Sequence, residues 1–315
     1  MMVFILLFAV LLLSYSNGAN DNFKGVATLW SSKILSYKQA ITLTTVATIL
    51  GSVAAFFFAT TLLNNFSGKG LVPNDIVKSS NFILAVALGA GITVLVATIF
   101  GYPISTTHAL VGGLIGAGVI AVGKNLNISI LGKVFFLPLI ISPIIAAFFS
   151  IMLYKILKNL KTDNLRFINV AHIFSAATVC FSRGLNDTPK IVSLLLVVNY
   201  FKLPVNFFII AIVMAIGGIL NSKKVAETLS HKLASLTPVQ GLGANVVTGL
   251  LVIASSYFGL PVSTTHVGVS SIYGVGVISG NTNNKELIKI LLSWIFTLPV
   301  AICSSMLIYF IIIKI

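Results

Sequence analysis

Apolar runs divided by short polar breaks make up most of the chain. The runs occupy about 1–16, 22–35, 39–63, 81–100, 103–122, 130–155, 168–182, 185–200, 204–220, 239–258, 261–280 and 287–313. Several approach the roughly 20 residues that an α-helix needs to cross a hydrocarbon layer, and they are continuous rather than alternating, so they read as membrane helices and not as barrel strands. Others are too short, or too interrupted by Gly and Pro, to cross alone. That predicts broken helices and re-entrant hairpins among about 12 helical segments. The longest polar breaks are 64–80, 156–167 and 221–238. The last, which carries Lys223, Lys224, Glu227 and His231, has helical periodicity and mixed charge and reads as a helix lying in the interface. The first run has the length of a signal peptide but no Lys or Arg ahead of it. It also leads into a motif that recurs later, so it is expected to be a mature membrane segment.

Composition narrows the class. Hydrophobic residues make up 57% of the 315, and Asp, Glu, Lys and Arg only 8%, against about 25% in a soluble domain. Mean hydropathy is +1.06. So few charges cannot cover a soluble surface, which excludes a soluble enzyme and a nucleic-acid-binding domain despite the formal charge of +14. Disorder is excluded too, because it requires low hydrophobicity. The expectation is an all-α polytopic protein of the cytoplasmic (inner) cell membrane, with the lipid bilayer as partner and no nucleic acid. Most bases lie in polar gaps: Lys69 and Lys78; Lys155, Lys158, Lys161 and Arg166; Lys223, Lys224 and Lys232. Such gaps read as cytoplasmic loops, and less simply as a basic surface that gathers anions. Of the six acids, only Asp21 and Asp187 lie away from the gaps. The two cysteines, Cys180 and Cys303, sit in apolar runs and predict neither a disulfide framework nor a zinc site.

Internal repetition organises these pieces. Residues 101–119 (GYPISTTHALVGGLIGAGV) and 259–277 (GLPVSTTHVGVSSIYGVGV) agree at 10 of 19 positions, at an offset of 158, where chance gives about one. Phe100/Phe258, Gly91/Gly249 and Leu84/Leu242 continue the match upstream. A second pair, at offset 166, joins Gly18-Ala19-Asn20-Asp21 and Lys24 to Gly184-Leu185-Asn186-Asp187 and Lys190. Two halves follow: an N-terminal repeat over 1–155, a polar linker over 156–167 and a C-terminal repeat over 168–315. Duplication with breaks at corresponding positions is the sequence signature of a secondary transporter.

The motifs suggest chemistry. Pro103-Ile104-Ser105-Thr106-Thr107-His108 and Pro261-Val262-Ser263-Thr264-Thr265-His266 each follow a Gly and precede a Gly-rich apolar run. Pro and Ser/Thr suit a helix start. A helix that begins inside the bilayer leaves N–H donors unpaired and places roughly half a positive charge there, which an oxyanion satisfies. Two such termini, with Ser105, Thr106, Thr107, Ser263, Thr264 and Thr265, could surround a tetrahedral anion. The plainer alternative is that these hydroxyls bond back to their own helices. His108 and His266 read as structural donors that hold the hairpins, with ligand or proton-relay roles open. Asp21 and Asp187 are carboxylates in apolar segments, where a central charge costs about 2.5–3.5 kcal/mol on insertion scales. Their partners are cations: Na⁺, H⁺, or Lys24 and Lys190. With Asn20 and Asn186 beside them they offer the hard oxygens that an alkali cation takes.

These paired elements resemble the inorganic phosphate transporter (PiT) family, over essentially the whole chain and in the family order. The resemblance implies cation-coupled, most often sodium-coupled, symport of phosphate, a fold of two inverted repeats and a homodimer. It implies no cofactor beyond the transported Na⁺ and inorganic phosphate. The chain departs from the family where Gly-Ala-Asn-Asp usually continues Val-Ala-Asn. Here Asn22-Phe23-Lys24 and Thr188-Pro189-Lys190 follow instead, which leaves the coupling ion open. Proton-coupled members and sulfate carriers also belong to the family. A hydrolase built on Ser105, His108 and Asp21 is disfavoured, because catalysis needs one such set and the chain has two. A channel would need no buried carboxylates.

Overall fold

The computed structural model describes residues 2–159, 165–196, 201–233 and 236–314. The described residues are mainly helical, with an isolated β bridge between Lys69 and Val72. In chain order the helices are α1 (Met2–Asp21), α2 (Ala27–Ser31), α3 (Tyr37–Phe58), α4 (Thr60–Asn65), α5 (Asn74–Val77), α6 (Ser80–Ile99), α7 (Thr106–Val122), α8 (Ile128–Ile130), α9 (Leu137–Leu157), α10 (Leu165–Val192), α11 (Leu203–Asn221), α12 (Lys223–Glu227), α13 (Pro238–Tyr257), α14 (Thr264–Ser279) and α15 (Asn284–Ile312). Nine spans among the described residues are long and apolar enough to cross a bilayer. Phe57, Phe148, Phe174 and Phe296 project outward more than half exposed. Rings displayed that freely belong against lipid, since a soluble monomer rarely shows so much apolar surface.

Several expected boundaries move. The runs at 168–182 and 185–200 are one continuous helix, Leu165–Leu195; Pro189 lies within it without ending it. The run at 22–35 does not span. Residues 22–26 form turns and only Ala27–Ser31 is helical. The polar break at 221–238 holds α12 and a wider helical turn at Thr228–Lys232, with Val225, Ala226, Leu229 and Leu233 buried. Of the linker at 156–167 and the run at 185–200, residues 160–164 (Lys161 and Asp163 among them) and 197–200 lie outside the described residues.

The two halves interlock. Helix α1 packs on α6 of its own half and on α11 of the other, while its counterpart α10 packs on α13 and on α3. Helix α9 follows α7 in the chain but packs on α14, and α15 packs on α7. Glycines permit the crossings. A Cβ at Gly51 would stand 1.9 Å from the carbonyl oxygen of Phe181, and one at Gly217 would stand 2.0 Å from that of Tyr15. Gly51/Gly217 and Phe181/Tyr15 are themselves related by the offset of 166. Small residues drive membrane helix packing by letting backbones approach this closely. Gly217→Ala is therefore expected to abolish folding, because a backbone carbonyl cannot yield as a flexible side chain would. The check is recovery of a monodisperse species from detergent; a wild-type yield would contradict the packing.

Candidate functional site

Both Pro-x-Ser-Thr-Thr-His elements start helices in the same way. Helix α6 ends at Ile99, and Gly101 turns the chain with φ 76°; Gly259 does the same after α13 with φ 70°. Only glycine adopts that left-handed region readily, which accounts for the repeated Gly before each motif. The chain then runs extended to Ser105 and Ser263, whose side chains cap α7 and α14 by accepting from the N–H of His108 (3.1 Å) and His266 (3.2 Å). The capping half of the plainer alternative is thus realised for the serines. The threonines differ. Thr107 donates across to the Val262 carbonyl at 3.2 Å, and Thr265 donates across to the Ile104 carbonyl at 2.8 Å. The two helix starts face each other and are stitched together, and all six Ser and Thr residues are buried.

The Asn-Asp elements close on the same place. Helix α1 stops at Asp21, and a turn returns Lys24 to it, the Lys24 N–H reaching the Asp21 carbonyl at 3.2 Å. The second element stays helical through Lys190, so backbone unwinding at the motif is confined to the first half. Asn20 donates to Thr98 and to the Tyr102 carbonyl, both at 2.9 Å, and accepts from the Ile104 N–H at 3.1 Å. Asn186 donates to the Val262 carbonyl and accepts from Ser256, both at 3.2 Å. Ser256 corresponds to Thr98 by the offset of 158. The asparagines therefore fix the extended strap ahead of each serine.

Lys24 donates to Asp21, to Asn20 (3.2 Å), to the Ile104 carbonyl (2.8 Å) and to Thr265. Lys190 donates to Asp187 (3.4 Å), to the Val262 carbonyl (2.9 Å) and to Thr107 (2.7 Å). Each ammonium thus touches its own half's strap and carboxylate and the other half's threonine. His108 and His266 lie beside this network with ring centroids 4.5 Å apart, and His266 stacks on Trp294 at 3.9 Å. His108 Nδ1 is 3.0 Å from Ser105 Oγ, and Trp294 donates to the Pro103 carbonyl at 3.0 Å. All fourteen residues singled out from sequence gather here.

Two further residues belong to the site. Arg183 is 1% exposed and lies one turn before Asp187, with Nε 3.7 Å from its carboxylate. It donates to Asn17 (2.9 Å), Asn22 (2.8 Å) and Thr48 (3.4 Å). Asn17, its counterpart at offset 166, donates to Thr106 at 3.1 Å and to Asp21 and Asp187 at 3.4 Å each. A signal was available, since Arg183 is an ionisable residue in an apolar run beside the motif and such residues are functional candidates. The formal balance is three buried cations (Lys24, Arg183, Lys190) against two carboxylates, a surplus of one positive charge. In a low dielectric such a surplus draws an anion.

Opposed helix starts and paired ions in the middle of an apolar bundle define a multi-pass membrane transporter, not an enzyme. The model of the phosphate transporter family matches the chain twice, over residues 17–167 and 160–305, and the chain belongs to that family. It is 30% identical to a protein described as "probable low-affinity inorganic phosphate transporter" in Bacillus subtilis, over 98% of this chain and 96% of that one. A protein of the same description in Rhizobium meliloti is 27% identical, over 97% and 95%. A solved structure described as the sodium-dependent phosphate transporter superimposes with a TM-score of 0.89, covering 100% of this chain and 99% of that one at 23% identity. At that identity the likeness establishes the fold.

Proposed function

We propose that the chain carries inorganic phosphate across the membrane, driven by a co-transported cation. The observation that supports it best is the pair of facing helix starts, where Ser105, Thr106, Thr107, Ser263, Thr264 and Thr265 meet a surplus of positive charge. The anion sits between them. Asn20, Asp21, Asn186 and Asp187 provide the cation site beside it, and His108 and His266 support the straps. No cofactor takes part. Two copies form a homodimer, and the two repeats are inverted relative to each other, as the resemblance implies. The halves over 1–155 and 168–315 act as one binding unit.

Sodium is the first choice of coupling ion, in keeping with the description of the structural neighbour. Moving one monovalent phosphate inward against 100 mV costs about 2.3 kcal/mol, and two sodium ions reverse that sign. A second reading, proton coupling, is favoured by one observation: both carboxylates already hold a lysine. Radiolabelled phosphate uptake by proteoliposomes, with sodium and pH gradients imposed separately, tests both. Under the sodium reading, an inward sodium gradient drives accumulation and arsenate competes better than sulfate. Uptake driven equally by a pH gradient in sodium-free buffer replaces sodium by the proton. Stronger competition from sulfate overturns phosphate as the substrate.

A further inference from the structure

We propose that Lys24 and Lys190 are ligands of the transported anion, and that each lysine, by turning from its carboxylate to the anion, opens that carboxylate to the coupling cation. The inference rests on the phosphate-carrier reading and concerns how that site couples its two ions.

Each ammonium already spans the two subsites. On the cation side Lys24 meets Asp21 and Asn20, and Lys190 meets Asp187. On the anion side Lys24 meets Thr265 and the Ile104 carbonyl, while Lys190 meets Thr107 and the Val262 carbonyl. A lysine kept only to neutralise its own aspartate has no need of a partner in the opposite half. Both have one, and the partners correspond under the repeat. The duplication thus places a cation at the one point shared by a carboxylate and the facing helix start.

An ammonium has three protons. Lys24 has four oxygens within bonding distance and Lys190 has three. A phosphate oxygen arriving at Thr107 or Thr265 must therefore take a proton from an existing partner. Bonds between two charged groups are stronger than bonds to a neutral hydroxyl or carbonyl, so the anion competes well for it. The Asp187 contact at 3.4 Å is the longest of the Lys190 set and is the first to yield. Once the ammonium faces phosphate, its carboxylate regains oxygens for a cation. Without the anion, a further cation would join a lysine beside the same carboxylate in low dielectric, which is unfavourable. Cation binding then requires phosphate, and the carrier does not leak sodium.

Phosphate binding to purified protein in sodium-free buffer, and ²²Na⁺ binding with and without phosphate, test this. Asp21→Asn/Lys24→Met removes its pair as a neutral unit and leaves no orphaned charge, while Asp187→Asn/Lys190→Met removes its pair but takes the carboxylate from Arg183 as well. The first is expected to keep a near wild-type melting temperature and the second to fold with a lowered one, and each to lose about ten- to a hundredfold in phosphate affinity. Asp21→Asn alone frees its lysine and should bind phosphate at least as tightly as wild type. Wild-type protein should bind sodium only when phosphate is present, and Lys24→Gln should bind it without. Paired variants with wild-type phosphate affinity overturn the proposal. So does sodium binding that phosphate leaves unchanged. Wild-type protein that binds no phosphate would instead sink the carrier reading.

Discussion

Asp187→Asn is expected to destabilise the protein far more than Asp21→Asn. Both carboxylates are buried, and breaking a buried pair from one side costs about 3–5 kcal/mol because the remaining charge has no partner. The two cases leave different remainders. Without its charge, Asp21 abandons Lys24, which retains the Ile104 carbonyl, Asn20 and Thr265 as acceptors. Without its charge, Asp187 abandons two cations at once, Lys190 and Arg183. The Arg183 Nε, which makes no hydrogen bond even with the carboxylate at 3.7 Å, then loses its neighbouring counter-charge as well. Thermal unfolding of the two variants in detergent, with folded yield as a second measure, checks the ranking. Adding Lys24→Met should restore Asp21→Asn to near wild type. Adding Lys190→Met to Asp187→Asn should restore it only in part, because Arg183 stays uncompensated. Equal melting temperatures for the two single variants would refute the asymmetry.

Thr107→Val and Thr265→Val are each expected to lower phosphate affinity roughly ten- to a hundredfold, the value of one hydrogen bond to a charged partner, about 1.5–3 kcal/mol. Valine keeps the shape and removes the hydroxyl. The hydroxyl also bridges the halves, since Thr107 accepts from Lys190 and donates to the Val262 carbonyl. Each single variant should therefore weaken every phosphate site in the sample, and a binding isotherm should remain one shifted curve. A biphasic isotherm, with half the sites unchanged, would mean that each half holds its own anion. Thr→Ser at either position keeps the hydroxyl and should retain most of the affinity. If Ser and Val behave alike, the hydroxyl is not a ligand.

The continuous apolar runs located most of the spans, and the repeat located the site. Duplication made the polar elements visible because identical residues recurred in an apolar background, where a charge or an amide stands out. Other features depend on tertiary placement. Nothing local marks Gly51 and Gly217 as crossing points until Phe181 and Tyr15 are seen against them. The interlocking of α3 with α10 and α9 with α14 has no sequence sign, because lipid-facing and partner-facing sides of such helices are equally apolar. Arg183-Gly184 read as a break between the runs 168–182 and 185–200 that the structure does not make. Arg183 was legible but passed over, since it corresponds to Asn17 and so fell outside the repeated residues. A search for what recurs is blind to what one half alone supplies. Here that is the cation that gives the site its unequal halves.

The exchange of partners between the halves bears on how the protein is made. Helices α3 and α9 are synthesised before α10 and α14, against which they finish. A newly inserted first half therefore holds, for as long as the ribosome takes to make the second, helices whose packing surfaces face lipid and a carboxylate with only first-half partners, Lys24, Asn17 and Thr106. Helices that insert individually and associate afterwards can bear this wait. The second half is then the template on which the first completes itself, and a stop anywhere beyond the linker strands the product for the cell's membrane proteases. Supplied as two separate polypeptides, the halves carry in their complementary surfaces what they need to find each other.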